Sequence, residues 1–427
     1  MGTKSGLTRR GALKGAAATG GALAGSGALT GFPTIWAQNI KNITLRQFGT
    51  GVSNLNAIAE RCKKETGITL QMTALDSDAV TQRAITQPNS YDIADIEYWI
   101  CKKVFPRKVL QPMDTKKLKY FDQVVPIFTT GKLTPESKIA QGTAPHTVSF
   151  VDSQDSVKFA KHPTRWFTMM PTIYNADTLG VRPDLAKRPV THWRDLADAA
   201  FNGRASILNI PSIGIMDAAM MCESLGIVKY GDKGNMTRHE IDTTIGKLIA
   251  LKKQGHWRAF WKTFDESVNL MVSGEVIIQS MWSPAVTAVR AKGIPCVYNP
   301  LAEGSRGWGG GLGLAKHLKG PELDAAYEYI NWYTSGWVGA YLNRQGYYSA
   351  VLSTAEKYMK PYEWAYWMEG KPAAQDIYSP EGKLIEKAGS VRDGGSFYAR
   401  MGNIACWNSV MDEDKYMVQK WNEFIAA

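Results

Sequence analysis

The sequence predicts an α/β protein built on a mostly parallel sheet. Three observations carry this prediction: strands alternate with helices from Ile43 onward, a second run of the same kind follows a loop-rich stretch, and no fixed-period repeat or low-complexity tract occurs beyond the N-terminal segment. The first run reads strand (ITLRQF), turn (GTGVSN), helix (LNAIAERCKKETG), strand (ITLQMTAL), helix (DAVTQRAITQ) and strand (YDIADIE). Within it Leu55, Ile58, Ala59 and Cys62 recur at helical spacing, and Gly67 stands where a helix C-cap is expected.

A loop-rich stretch from about Gly131 to Arg165 precedes the second run, which opens with MMPTIYNADTLG and continues through THWRDLADAAFNGRASILN. A helical stretch at Ile241–Gln254 and a strand at Val276–Trp282 follow, then IPCVYNPL and WGGGLGLA as further strands, and beyond Pro321 the chain turns helical and aromatic. A chain of 427 residues with 44% hydrophobic and 21% charged content is long enough for a sizeable core and for two or three units.

The N-terminus reads as an export leader. Thr8-Arg9-Arg10-Gly11-Ala12-Leu13-Lys14 resembles the twin-arginine motif, with Ala12 where an aromatic is usual; a weakly apolar run spans Gly15–Gly31, and Ala37 supplies a small residue for cleavage. That run holds too little Leu, Ile or Phe to make a good membrane span. Residues 1–37 are therefore expected to be removed, placing the mature chain in the periplasm. Losing Lys4, Arg9, Arg10 and Lys14 takes the formal charge from +11 to +7. The remaining lysines and arginines are dispersed in ones and twos, which argues for solvated surface and against a nucleic-acid partner. Cys62, Cys101, Cys222, Cys296 and Cys406 form no CxxC, haem or zinc pattern, so no cofactor is implied; a disulfide such as Cys62–Cys101 and buried free thiols both stay open.

Taken in order, ITLRQFGTG, LNAIAERCKKETGITLQMTAL, YDIADIEYW, THWRDLADAAFNGRASILN, SGEVIIQSMWSPAV and GWGGGLGLAKHLKGPELDAAYEYINWYTS resemble the periplasmic solute-binding proteins of the spermidine/putrescine type. The resemblance implies a two-lobed binding protein, type II-like, each lobe a mostly parallel sheet flanked by helices with the ligand cleft between them. It places lobe I at 39–168 and 283–330, and lobe II at 169–282 and 331–427. It further implies a non-enzymatic monomer that takes up a polyamine-like amine, zwitterion or small organic acid. Its partners are the small-molecule ligand and the membrane permease of an ABC transporter. Such a receptor needs a hinge and a cleft rather than a nucleophile.

The resemblance puts Glu97, Tyr98 and Trp99 on one cleft wall and Trp282 at a crossover. An aliphatic ammonium is best held by aromatic faces and a carboxylate, which adds Trp308 and Tyr347 to the candidate ligand-binding residues. Polyamine receptors of this type carry acids where this chain has Asn209-Ile210-Pro211-Ser212-Ile213-Gly214 and Ser283-Pro284. Those departures disfavour a long polycation, while a helix start at Ser212 suits a carboxylate, with Glu97 or Asp76 opposite to hold an amine. Gly309-Gly310-Gly311-Leu312-Gly313 reads as a strand entry where backbones approach closely. Tyr347-Tyr348 resembles the paired tyrosines of ferric-ion receptors, although packing or stacking is the preferred reading. No HExxH or GxSxG is present; the alternatives are a cofactor-containing enzyme exported folded and a ferric-ion receptor of the same fold.

Overall fold

The computed structural model describes residues 40–427; the expected leader, 1–37, lies outside the described residues. The first run forms as its pattern dictates: β1 (Thr44–Thr50), α1 (Asn56–Thr66), β2 (Thr69–Leu75), α2 (Ser77–Thr86), β3 (Ile93–Glu97) and α3 (Tyr98–Val104). Helix α1 buries Ile58 and Cys62 and ends at Gly67, whose φ of 82° is the left-handed conformation a side chain would resist. Asp76 caps α2, its Oδ1 accepting from the Ala79 N–H at 2.8 Å. Strand β1 pairs in parallel with β2 and with β3.

The second run begins with β4 (Met170–Val181), twelve residues long and buried throughout. It continues through β5 (Ala205–Leu208), α4 (Pro211–Ser224), α5 (Arg238–Lys253), β6 (Trp257–Trp261), α6 (Phe264–Ser273), β7 (Ile278–Met281) and α7 (Ser283–Ala291). Next come β8 (Ser305–Ala315), α8 (Gly320–Tyr333), α9 (Trp337–Asn343), β9 (Tyr348–Ser349), α10 (Phe397–Met401), β10 (Ile404–Trp407) and α11 (Asp414–Ala426). The segment IPCVYNPL, expected as a strand, is not one. It makes a lone bridge between Val297 and Val181, because Pro295 and Pro300 lack the N–H groups a ladder needs on either side.

The main sheet runs β6-β5-β7-β4-β8-β3-β1-β2. Its two wings are parallel, β1 with β2 and β3 at one end and β5 with β6 and β7 at the other. Between them β4 and β8 lie antiparallel to each other and to their outer neighbours, so these two long strands are shared by both wings. Within the main sheet the short parallel wings are joined through this pair of crossing strands, the natural place for the molecule to bend.

Two large hydrophobic cores flank the crossing. The first gathers Phe48, Ile58, Ile96 and Phe128 together with Tyr333, Val338, Leu342, Trp367 and Ile377. The second gathers Trp193, Ile207, Ile241 and Leu248 with Met411, Met417, Trp421 and Phe424, and a smaller cluster packs α7 on α6 through Val286, Val289 and Met271. Tyr333, Val338, Leu342, Trp367 and Ile377 share the first core, and α7 packs on α6. All five cysteines are buried and free.

The glycine run in β8 answers to close packing inside the sheet. A Cβ on Gly311 would lie 2.8 Å from the Met170 carbonyl oxygen and 3.2 Å from the Tyr98 ring. Gly311→Val is therefore expected to destabilise the chain by about 1–3 kcal/mol through overpacking. Urea unfolding is the check; an unchanged midpoint would mean that β4 and β8 are free to part at that point.

Candidate functional site

The candidate site lies on one face of the β4–β8 crossing. In the register, Arg306 faces Asp177, Trp308 faces Asn175, and Gly310 faces both Ile173 and Glu97. Side chains alternate along a strand and opposed residues share a face, so Arg306, Trp308, Asp177, Asn175 and Glu97 all emerge on the same side. Helix α4 brings Asp217 to them, and the chain after β10 brings Asn408.

Arg306 is the hub. Its Nε donates to Asp217 Oδ1 at 2.7 Å, its Nη1 donates to Asn408 Oδ1 at 2.8 Å, and its Nη2 stands 3.5 Å from Asp177 Oδ2. Arg306, Asp177 and Asp217 are buried to within 1%. Neither Asp177 Oδ2 nor Asp217 Oδ2 takes a hydrogen bond, a costly state for a buried carboxylate oxygen. Glu97 is partly exposed at the end of β3, accepting from Ser77 Oγ at 3.5 Å and from the Trp99 indole N–H.

Three carboxyl groups thus surround one guanidinium. Burial pushes Glu97 up to about 7 and Asp177 up to about 6, in each case against the pull of Arg306, and it raises Asp217 in the same way. The cluster holds more acid than its own cation can neutralise.

Beside Glu97 a cavity of about 320 Å³ opens between α2 and α3 on one side and the start of α4 and α11 on the other. Trp99, Lys103, Asp78, Ser212 and Asp414 contribute to its walls. Ser212 Oγ is buried without a hydrogen bond at the first turn of α4. Lys103 Nζ reaches Asp414 Oδ2 at 2.6 Å, an ion pair from α3 to α11 that spans this opening.

The structure sorts the expected site residues. Trp99 and Ser212 line the cavity, Glu97 is bonded to the Trp99 indole, and Trp308 meets Tyr347 edge-on at 5.9 Å. Trp282, half-buried at the start of α7, packs edge-on against Trp261 at 4.8 Å, while Ser283 beside it and Gly346 beside Tyr347 both accept from the Asn175 amide opposite Trp308. Tyr98 is a core residue: it is buried, its hydroxyl donates to Met169 O at 2.7 Å, and its ring packs on Phe128. Asp76 is spent on its helix cap. Tyr347 and Tyr348 point to opposite faces, Tyr347 toward Trp308 and Tyr348 toward Tyr174 and Phe397, so the two do not share a ligand. His192, Glu303 and Ser224 also meet, but Glu303 bonds to both of the others, an order unlike that of a histidine-activated serine.

Asp177, Asp217, Arg306 and Asn408 were not among the sequence candidates. Asp177 sits in the apolar-looking strand MPTIYNADTLGV and Asp217 in the apolar helix PSIGIMDAAMMCES, and an acid in such a setting is the available signal, since buried charges are kept only with partners.

A family model described as bacterial extracellular solute-binding protein matches residues 57–359. Among solved structures, the fold is similar to a spermidine/putrescine ABC transporter substrate-binding protein of Streptococcus pneumoniae (15% identity, TM-score 0.59, covering 90% of this chain and 98% of that one). It is also similar to a GABA receptor (17%, 0.58, 90% and 97%) and to a periplasmic binding protein of A. tumefaciens B6 in complex with glucopine (13%, 0.56, 90% and 99%). At these identities the likeness establishes the two-lobed binding-protein fold. No curated protein is similar enough in sequence to match the chain.

The raised Glu97 fixes a pH dependence. In the ligand-free chain its folded value, about 7, lies above the ordinary 4.5, so its contribution to stability is full below about pH 4.5 and is lost as pH rises through 7. Buried His146 and His256, with lowered values, oppose this trend in the whole protein, so the difference between variants isolates it. Glu97→Gln is expected to become progressively more stable relative to the natural chain between about pH 4.5 and 7 and to level off above, read by urea unfolding across that range. A difference that does not vary with pH would place the Glu97 carboxylate in open solvent.

Proposed function

The chain belongs to the bacterial extracellular solute-binding protein family, and on that premise we propose that it captures a compact amine or zwitterion in the periplasm and delivers it to the permease of an ABC-type uptake transporter. The family is one of transporter substrate-binding proteins and not of enzymes. Among the described residues no helix is long and apolar enough to cross a membrane. Export by the twin-arginine route, cleavage after residue 37 and a monomeric state are part of the same proposal.

The observation that carries the reading is the acid excess around Arg306. An ammonium entering beside Glu97, Asp177 and Asp217 meets a counter-charge already prepared, and aromatic faces at Trp308 and Tyr347 add cation–π attraction. The second end of the ligand meets a different wall. Ser212 Oγ, buried without a partner at the first turn of α4, is free to donate to a carboxylate there. The printed names of the similar structures, spermidine/putrescine, GABA and glucopine, span this range of chemistry.

Closure follows from ligand contacts made with both wings of the sheet, and its driving force is limited to the ligand's difference in affinity for the open and closed forms. We place the lobe boundaries where the hydrophobic cores divide: 40–169 with most of 310–377 as one lobe, and 179–304 with 404–427 as the other.

A thermal-shift panel of spermidine, short ω-amino acids, betaines and dicarboxylates tests the proposal. A short ω-amino acid is expected to stabilise most, by about 2.7 kcal/mol at 100 times its dissociation constant, and to displace spermidine. Trp308→Ala is expected to weaken that binding by about 1–3 kcal/mol with the fold retained. Tight spermidine binding that no zwitterion displaces would contradict the reading.

A further inference from the structure

The opposite face of the β4–β8 crossing carries a second buried charge cluster with the reverse sign. The segment 389–403 sends Arg392 and Arg400 inward, and both are more than nine-tenths buried. Their guanidinium groups lie over the Tyr348 ring at 5.5 and 6.0 Å, and Arg392 Nη2 donates to the Tyr348 hydroxyl at 3.0 Å. Arg400 Nη1 donates to the Asp393 carbonyl at 3.0 Å, but Arg400 Nε, Arg400 Nη2 and Arg392 Nε have no acceptor.

The neighbouring acids are already engaged. Asp393 pairs with Arg290 and accepts from the Tyr298 N–H at 2.8 Å, Glu386 accepts from Arg290 Nη1 at 2.9 Å, and Asp177 faces Arg306. Three arginines therefore share two carboxylates on this side. Burial alone would raise the Tyr348 phenol, yet Arg392 and Arg400 bring it below its ordinary value, the mark of an uncompensated positive field.

Arg400 also lines a small half-open pocket of about 20 Å³, with Thr178 of β4, Ser305 of β8, Asn299 and the exposed Asn403 around it. A space of that size holds one water-sized particle. Buried guanidinium N–H groups without an acceptor are costly, and polar hydroxyl and amide groups suit an ion that keeps part of its hydration.

We propose that a single compact monovalent anion of halide size occupies the cavity beside Arg400 and neutralises the arginine cluster behind the crossing strands. Its position between β4 and β8 makes it a structural ion of the hinge, separate from the ligand chamber on the opposite face. The proposal stands on the arginine cluster and the cavity, independent of which solute the chamber takes.

The test compares unfolding midpoints in potassium chloride and potassium gluconate at equal ionic strength, together with diffraction at the bromine edge from crystals grown in bromide. The midpoint is expected to rise with chloride and to saturate, the rise is expected to vanish in Arg400→Met, and an anomalous peak is expected beside Arg400 in the natural chain. The bromide peak stands even where Arg400→Met fails to fold. Equal midpoints in the two salts or an absent peak at Arg400 would each overturn the proposal.

Discussion

The guanidinium of Arg306, set between Asp177 and Asp217 where two long strands cross, is the interaction on which the rest of the molecule depends. It joins β4 to β8 within the sheet and both to α4. Removing one partner of such a group typically costs about 3–5 kcal/mol, because the others stay buried without compensation. A fold whose two wings share the long strands β4 and β8 concentrates that cost where they cross. The same place is where an entering cation finds the most favourable field, so stability and recognition draw on one set of charges.

The two faces of the crossing are electrostatic opposites. The front, toward the cleft, holds Glu97, Asp177 and Asp217 around Arg306; the back holds Arg290, Arg392 and Arg400 around Asp393 and Glu386. Strand alternation separates them, since Asn175 and Asp177 face forward while Ala176 and Thr178 line the rear cavity. The glycines of β8 let the strands approach closely enough for the crossing to be thin, so that charges on one face are felt on the other: Arg400 lowers Asp177 from behind.

The sheet wings were legible because their periodicity is strong. Ile58 and Cys62 on α1, Gly67 at its end, and the alternation of strand and helix to Glu97 all stand where the pattern put them. Trp308 meets Tyr347 edge-on, and Trp99 and Ser212 line one cavity. Two kinds of feature stayed hidden. Pro295 and Pro300 break a segment whose apolar residues alone read as a strand, and the packing of Tyr333, Val338 and Leu342 into one core with Ile58 and Cys62 rests on tertiary contacts that no local pattern records. Asp177, Asp217 and Arg306 are far apart in sequence and sit in otherwise apolar elements, so their convergence emerges only from the register of the crossing strands.

The central claim is that the chamber is an acid site completed by a cationic ligand, and proton linkage tests it most directly. Calorimetry at pH 7 in two buffers of different ionisation enthalpy, using whichever amine stabilises the chain most, reads the number of protons exchanged on binding. With Glu97 near 7, the bound ammonium is expected to drive off about half a proton there, and fewer as pH rises toward 9. Proton uptake, or the same heat in both buffers at pH 7, would contradict the account.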